Sequence, residues 1–225
     1  MTFSITARCP DTGMFGIAVT SSSMAVAARC AFVRAGVGAV ATQNITDPRL
    51  GPRGLDLMAV GKTAAEALAA LLDEHAHRDY RQLALVDAMG GVAHHSGAHT
   101  LGTHAVATGD GAVAAGNLLA TPGVPAAMIE ALRAAADAPF PARLVGALEG
   151  GLAAGGEAGP VRSAGLLVAD RQAWPLVDLR VDWSEGDPIA DLAALWRGWA
   201  PLMDDYVTRA LDPSAAPSYG VPGDE

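Results

Sequence analysis

At 225 residues, with 51% hydrophobic and 17% charged content, the chain carries enough apolar material for one domain with a modest appendage, which excludes a disordered protein. A net charge of −9, with Lys62 the single lysine among fifteen basic residues, excludes a basic groove for nucleic acid. No uninterrupted apolar run approaches the roughly 20 residues of a membrane-spanning helix, and polar Thr2, Ser4, Thr6 and Arg8 interrupt any secretory leader, so a cytoplasmic location without membrane contact is expected.

In chain order, Thr2-Phe3-Ser4-Ile5-Thr6-Ala7-Arg8 alternates as a strand. Cys9-Pro10-Asp11-Thr12-Gly13 supplies turn residues, and Phe15, Ile17 and Val19 alternate toward Ser21, giving a hairpin. Gly36 to Gln43 reads as a strand apolar on both faces and therefore covered on both. Pro52 to Val60 is a short helix, and Thr63-Ala64-Ala65-Glu66 is a capping box ahead of Leu68, Leu71 and Leu72. Leu83 to Ala88 with Val92 to Ser96, and the segments of Val106 and Val113 around Gly109-Asp110-Gly111, predict two more hairpins.

Thr121-Pro122 provides an N-cap and first-turn proline for a helix carrying Val124, Met128 and Leu132. Pro141 opens another, with Leu144, Val145, Leu148 and Leu152, ended by Gly155 and Gly156. Ala164 to Ala169 and Leu176 to Val181 return to strand, with Asp178 and Arg180 as a surface pair. Leu192, Trp196 and Trp199 mark an amphipathic helix after Asp187-Pro188, and Pro201 begins a further one through Tyr206. Leu211 to Glu225, rich in proline and glycine, reads as an extended tail. Strands and helices come in blocks rather than alternating, which excludes a doubly wound parallel sheet and predicts an α+β sandwich: two mainly antiparallel sheets with helices outside.

A hydroxyl residue on the first strand, a hairpin, and two sheets supplied between helix pairs resemble the N-terminal nucleophile (Ntn) hydrolases, whose αββα layering is the expected fold. The strings Thr2-Phe3-Ser4-Ile5, Ala7-Arg8, Gly36-Val37-Gly38-Ala39-Val40-Ala41-Thr42-Gln43, Gly51-Pro52-Arg53-Gly54-Leu55 and Gly116-Asn117 are similar to an uncharacterised bacterial family, domain of unknown function ten-twenty-eight, grouped with that superfamily. The resemblance runs from Thr2 to about Asp182. It implies an Ntn-hydrolase-like domain over residues 1–184, with 185–225 a C-terminal helical segment and tail. Cys9 stands where similar sequences carry an acidic residue, and 209–223 looks like part of a segment labelled peptidoglycan-binding in longer relatives.

The chemistry follows from the second residue. If Met1 is trimmed, which a small second side chain permits, Thr2 offers a hydroxyl nucleophile and, on the same residue, an α-amine titrating near pH ~8 that can act as its base. Ser4 shares a strand face with Thr2 and is the rival nucleophile, but it needs another base. Superfamily members often place a polar residue at the end of the second strand to orient the amine, which singles out Ser21 among Ser21, Ser22 and Ser23. Thr42, Gln43 and Asn44 end the third strand and Gly116-Asn117 another. Asn117 is the chosen oxyanion donor, and Thr42, Gln43, Asn44 and Gly116 the substrate-binding candidates.

His94, His95, His99 and His104 crowd one segment, yet adjacent His94 and His95 face opposite ways and no metal motif accompanies them, so no metal or other cofactor is expected. His75 and His77 are expected in solvent, and Cys9 and Cys30 as free thiols. The expected activity is an amidohydrolase or acyl-transfer enzyme acting on a small-molecule or peptide-like amide. The alternative is a non-catalytic protein binding a small ligand or cell-wall fragment in the same cleft. Exposed apolar helices are compatible with a homodimer.

Overall fold

A computed structural model describes residues 1–223. Strands β1 (Thr2–Arg8) and β2 (Phe15–Ser21) form the first hairpin, followed by a helical turn α1 (Ala27–Cys30), β3 (Ala31–Arg34) and β4 (Gly38–Asn44). Helices α2 (Leu50–Ala59) and α3 (Ala64–Asp73) lead to β5 (Arg81–Asp87), β6 (Val92–Ser96), β7 (Ala105–Gly109) and β8 (Ala112–Asn117). Helices α4 (Val124–Ala134) and α5 (Phe140–Ala153), strands β9 (Ser163–Ala169) and β10 (Val177–Val181), and helices α6 (Pro188–Trp199) and α7 (Met203–Leu211) complete the chain.

All strand pairs are antiparallel, in a six-stranded sheet ordered β10-β9-β2-β1-β8-β7 and a four-stranded sheet ordered β3-β4-β5-β6. Strand alternation divides the core into three layers. Phe3, Ile5 and Ala7 of β1 pack with Met128, Leu144, Leu148, Leu192 and Trp196 of α4, α5 and α6 on one side of the large sheet. Phe15, Ile17, Val19, Val113 and Ala115 meet Ala39, Ala41, Ala84 and Val86 between the sheets. Val40, Leu83 and Leu85 pack with Leu55, Met58, Leu68 and Leu71 of α2 and α3 beyond the small sheet. The chain is thus an α+β protein with two antiparallel sheets face to face and helices on both outer sides.

Several local expectations need correction. The segment 27–34 contains α1 and an edge strand absent from the sequence reading, because four residues of helix and four of strand are too short to leave a period. Gly51-Pro52-Arg53-Gly54 is the opening of α2, which starts two residues ahead of the expected Pro52: Pro52 sits in the first helical turn, where its missing N–H costs no hydrogen bond. Gly51 lies against Phe32, and a Cβ there would stand 2.0 Å from the ring. Helix α4 begins beyond Gly123, not at Thr121, whose hydroxyl instead donates to the Ala154 carbonyl at 3.3 Å. His75 is not solvated: its Nδ1 accepts the His77 N–H at 3.1 Å, so its Nε2 carries the proton donated to Asp47 at 3.1 Å. The Thr63–Glu66 capping box and the Asp178–Arg180 pair form as expected. Residues 212–223 carry no regular structure, and Asp224 and Glu225 of the expected tail lie outside the described residues. Among the described residues no helix is long and apolar enough to cross a membrane.

Candidate functional site

The site is built by strand alternation at one end of the large sheet. Thr2, Ser4 and Thr6 of β1 face the small sheet while Phe3, Ile5 and Ala7 face the helices. On one side β2 places Ser21 beside Thr2, with the hydroxyl oxygens 3.4 Å apart. On the other side the register sets Asn117 of β8 directly opposite Thr2. Leu118 then turns the chain sharply, with a left-handed φ of 51°, so β8 stops at Asn117. Thr2 is 6% exposed, and Ser4, Ser21 and Asn117 are fully buried.

Both the Thr2 and Ser21 hydroxyls lie on the Met1 carbonyl oxygen. Ser21 also meets the Ser23 hydroxyl at 2.7 Å, and Arg29 donates to Ser23 at 2.6 Å. The Met1 side chain lies alongside Gly159.

Behind Thr2 an amide relay joins the sheets, and a backbone group fixes its polarity. The Gly116 carbonyl can only accept, so the Gln82 group 3.1 Å from it is Nε2, which also donates to Ser96 at 3.0 Å. Gln82 Oε1 must then accept, from Gln43 Nε2 at 2.8 Å and from Asn117 Nδ2 at 3.1 Å. Gln43 Oε1 in turn accepts the Ser4 hydroxyl at 2.7 Å. Among the described residues Asn117 Oδ1 is left buried without a partner, a penalty of about 1–3 kcal/mol in a sealed interior.

The expected residues therefore divide. Thr2, Ser21 and Asn117 converge, and Ser4 with Gln43 lies behind them in the relay. Thr42 and Asn44 point to the opposite face of β4. Thr42 donates to the Asp47 carbonyl at 3.4 Å, and Asn44, with a left-handed φ of 71°, reaches the Tyr80 carbonyl at 2.7 Å and accepts the Leu101 N–H at 3.2 Å. Both hold loops instead of lining the site. Gly116 is turned toward Leu119 on the helix side, and its carbonyl is taken by Gln82.

One residue at the site carries no local motif. Glu157, 5% exposed, accepts the Ser22 N–H on its two carboxylate oxygens at 3.2 and 3.1 Å. Burial pushes its carboxyl up to about 7, against the opposing pull of the N-terminal ammonium and the Ser22 N–H. The sequence signal is a lone acid in the small-residue run Gly155-Gly156-Glu157-Ala158-Gly159, where the glycines draw attention as a helix end.

A cavity of about 520 Å³ lined by Met58, Lys62, Asp87, Met89 and Val92 lies at the far end of β5, remote from Thr2. Among the described residues, no three His, Cys, Asp or Glu side chains gather into a ligand set.

A solved protein from Silicibacter pomeroyi, described as a DUF1028 member, is 30% identical, with 88% of this chain and 89% of that one covered at a TM-score of 0.82. Anbu (ancestral beta-subunit) from Yersinia bercovieri is 10% identical over 90% of this chain and 96% of its own, at a TM-score of 0.39. No curated protein matches the chain. The model of a family of unknown function, DUF1028, matches residues 2–192, nearly the whole chain. On that extent of match, the chain belongs to the DUF1028 family.

Proposed function

We propose that this is an Ntn-type amidohydrolase or acyl-transfer enzyme whose nucleophile is Thr2 after removal of Met1. The observation carrying the reading is the Thr2 hydroxyl, at the end of the inter-sheet layer, with Ser21 on one side and Asn117 on the other. Removing Met1 frees three things at once: the Thr2 α-amine, the two hydroxyls now on the Met1 carbonyl, and the volume that Met1 fills.

In the proposed reaction Thr2 Oγ1 attacks the substrate amide carbon and its proton passes to the α-amine. The tetrahedral intermediate expels the amine product as that proton moves to the leaving nitrogen, which leaves an acyl ester on Thr2. Water, or another acceptor, then attacks the ester with the α-amine again as base, releasing the acyl product and restoring the hydroxyl. Ser21 orients the amine. Asn117 Nδ2 keeps a second hydrogen beyond the one given to Gln82, available to a developing oxyanion. Ser4 is set aside as nucleophile: it is fully buried, and its proton is committed to Gln43.

Intact mass of natively expressed protein, after exposure to an acylating probe, tests this. Loss of Met1 with one label on Thr2 is expected, and Thr2→Ala is expected to fold normally while losing labelling and about 10³-fold or more of any turnover. The hydroxyls held by the Met1 carbonyl favour the second reading, a binding protein with a closed cleft, for as long as Met1 stays; a native sample that retains Met1 selects it.

A further inference from the structure

Glu157 is a buried carboxylate in search of a cation. Residues on either side of it are tied down by backbone bonds: Ala120 N–H to the Gly156 carbonyl at 3.0 Å and Ala158 N–H to the Leu118 carbonyl at 2.9 Å, around a bridge between Leu119 and Glu157. Among the described residues its hydrogen-bond donor is the Ser22 N–H, next to the Ser21 hydroxyl that touches Thr2. Among the described residues no Lys, Arg or His side chain pairs with it. The neighbouring cations are engaged elsewhere. Arg29 of α1 donates to Ser23 and to the Met24 and Ala25 carbonyls, and Arg162 pairs with Glu185 at 3.0 Å. The remaining positive charge acting on it is the N-terminal ammonium. A buried charge persists where it is paired and hydrogen-bonded; here the backbone supplies the hydrogen bond, and the chain's own amine is the cation left to supply the charge.

Resting on the Thr2 reading, we propose that Glu157 is the counter-ion and positioning residue of the mature N-terminus, binding the Thr2 α-ammonium once Met1 has left. Met1 touches Ser21, the neighbour of the Ser22 N–H that holds the Glu157 carboxylate, and lies alongside Gly159, two residues beyond Glu157; its removal places the ammonium on the Thr2 nitrogen. The carboxylate then fixes where the amine nitrogen sits relative to Thr2 Oγ1. It also delays the amine's loss of its proton, so the base becomes active at higher pH than a free α-amine does.

The test compares wild-type, Glu157→Gln and Glu157→Asp, all verified by intact mass to lack Met1, using acetic anhydride across a pH series and quantifying acetylation of the N-terminal peptide. Only the neutral amine reacts. Glu157→Gln is expected to lower the midpoint by one pH unit or more, about tenfold more reactive amine at a given pH below the midpoint, and Glu157→Asp to lower it by a smaller amount, recovering part but not all of the shift. A residue that merely supports the loop leaves the midpoint where it is, so coincident midpoints in wild-type and Glu157→Gln overturn the proposal. Should Glu157→Gln not fold, Glu157→Asp decides alone, because moving the carboxylate by one methylene must displace the midpoint if it pairs with the amine. Retention of Met1 in the native protein is seen in the mass spectrum before any labelling and overturns the Thr2 reading itself, and this inference with it.

Discussion

Asp47 illustrates how one side chain can hold a loop through charge. Arg49 meets its carboxylate with Nε at 2.9 Å and Nη2 at 2.7 Å, and His75 Nε2 adds a third bond at 3.1 Å. The Arg49 hydrogen bonds foremost, then that from His75, hold the carboxyl well below the usual carboxylate range. A depressed folded pKa contributes stability that is present above the unfolded value near ~3.9 and lost as pH falls through the folded one. Asp47→Asn is therefore expected to lower the melting temperature at pH 7, with the difference from wild-type shrinking on acidification below about pH 4. Thermal melts of both proteins from pH 7 to pH 2 check this, and a constant difference across that range defeats it. Arg49 itself is 86% exposed, so its share of the effect is expected to weaken with added salt. The same scale explains why Ser4 and Gln43 were legible as polar positions on strands while their roles were not. The partner that orders them, Gln82, sits in an ordinary-looking strand and becomes informative only when the Gly116 carbonyl stands beside it.

At the level of elements, two glycines on helices make opposite predictions. Gly51 lies where α2 crosses β3, and an added Cβ would enter the Phe32 ring at 2.0 Å, whereas Gly146 of α5 has nothing within 4 Å of the same added atom. Gly51→Ala is expected to destabilise by about 1–3 kcal/mol through overpacking, despite alanine's better helix propensity. Gly146→Ala is expected to stabilise by about 0.5–1 kcal/mol, since only the backbone entropy changes. Denaturant unfolding of the two variants gives the sign of each, and equal signs would contradict the packing argument. The Gly-Pro-Arg-Gly string could thus be read as special without its reason being readable. A helix from Pro52 was readable, but the need for glycine at 51 and 54 comes from Phe32 and Val40, which arrive from β3 and β4.

For the whole molecule, the helices are not equal members of the core. Ile189, Leu192 and Trp196 of α6 are buried with α5 and the large sheet, while α7 has no fully buried residue. The segment 212–223 is anchored by exposed contacts such as Arg209 over the Tyr219 ring at 4.0 Å. Removing everything after Leu211 is expected to leave the melting temperature within about 2 °C, because exposed cation–π contacts contribute on the order of 0.5–1 kcal/mol. A cooperative loss of stability on that truncation, measured by calorimetry, shows that the tail belongs to the folded unit. The sequence by itself determined the blocks of strands and helices, the capping box, the face that β1 turns inward and the placing of Thr2 at its end, since these depend on periods and caps spanning a few neighbouring residues. Only the tertiary structure decided that Asn117 and Ser21 flank Thr2 while Thr42 and Asn44 turn away, and that Glu157 comes to the N-terminus from more than a hundred residues along the chain. Strand register and loop return are set by packing between segments distant in sequence, and no local pattern of side chains encodes them.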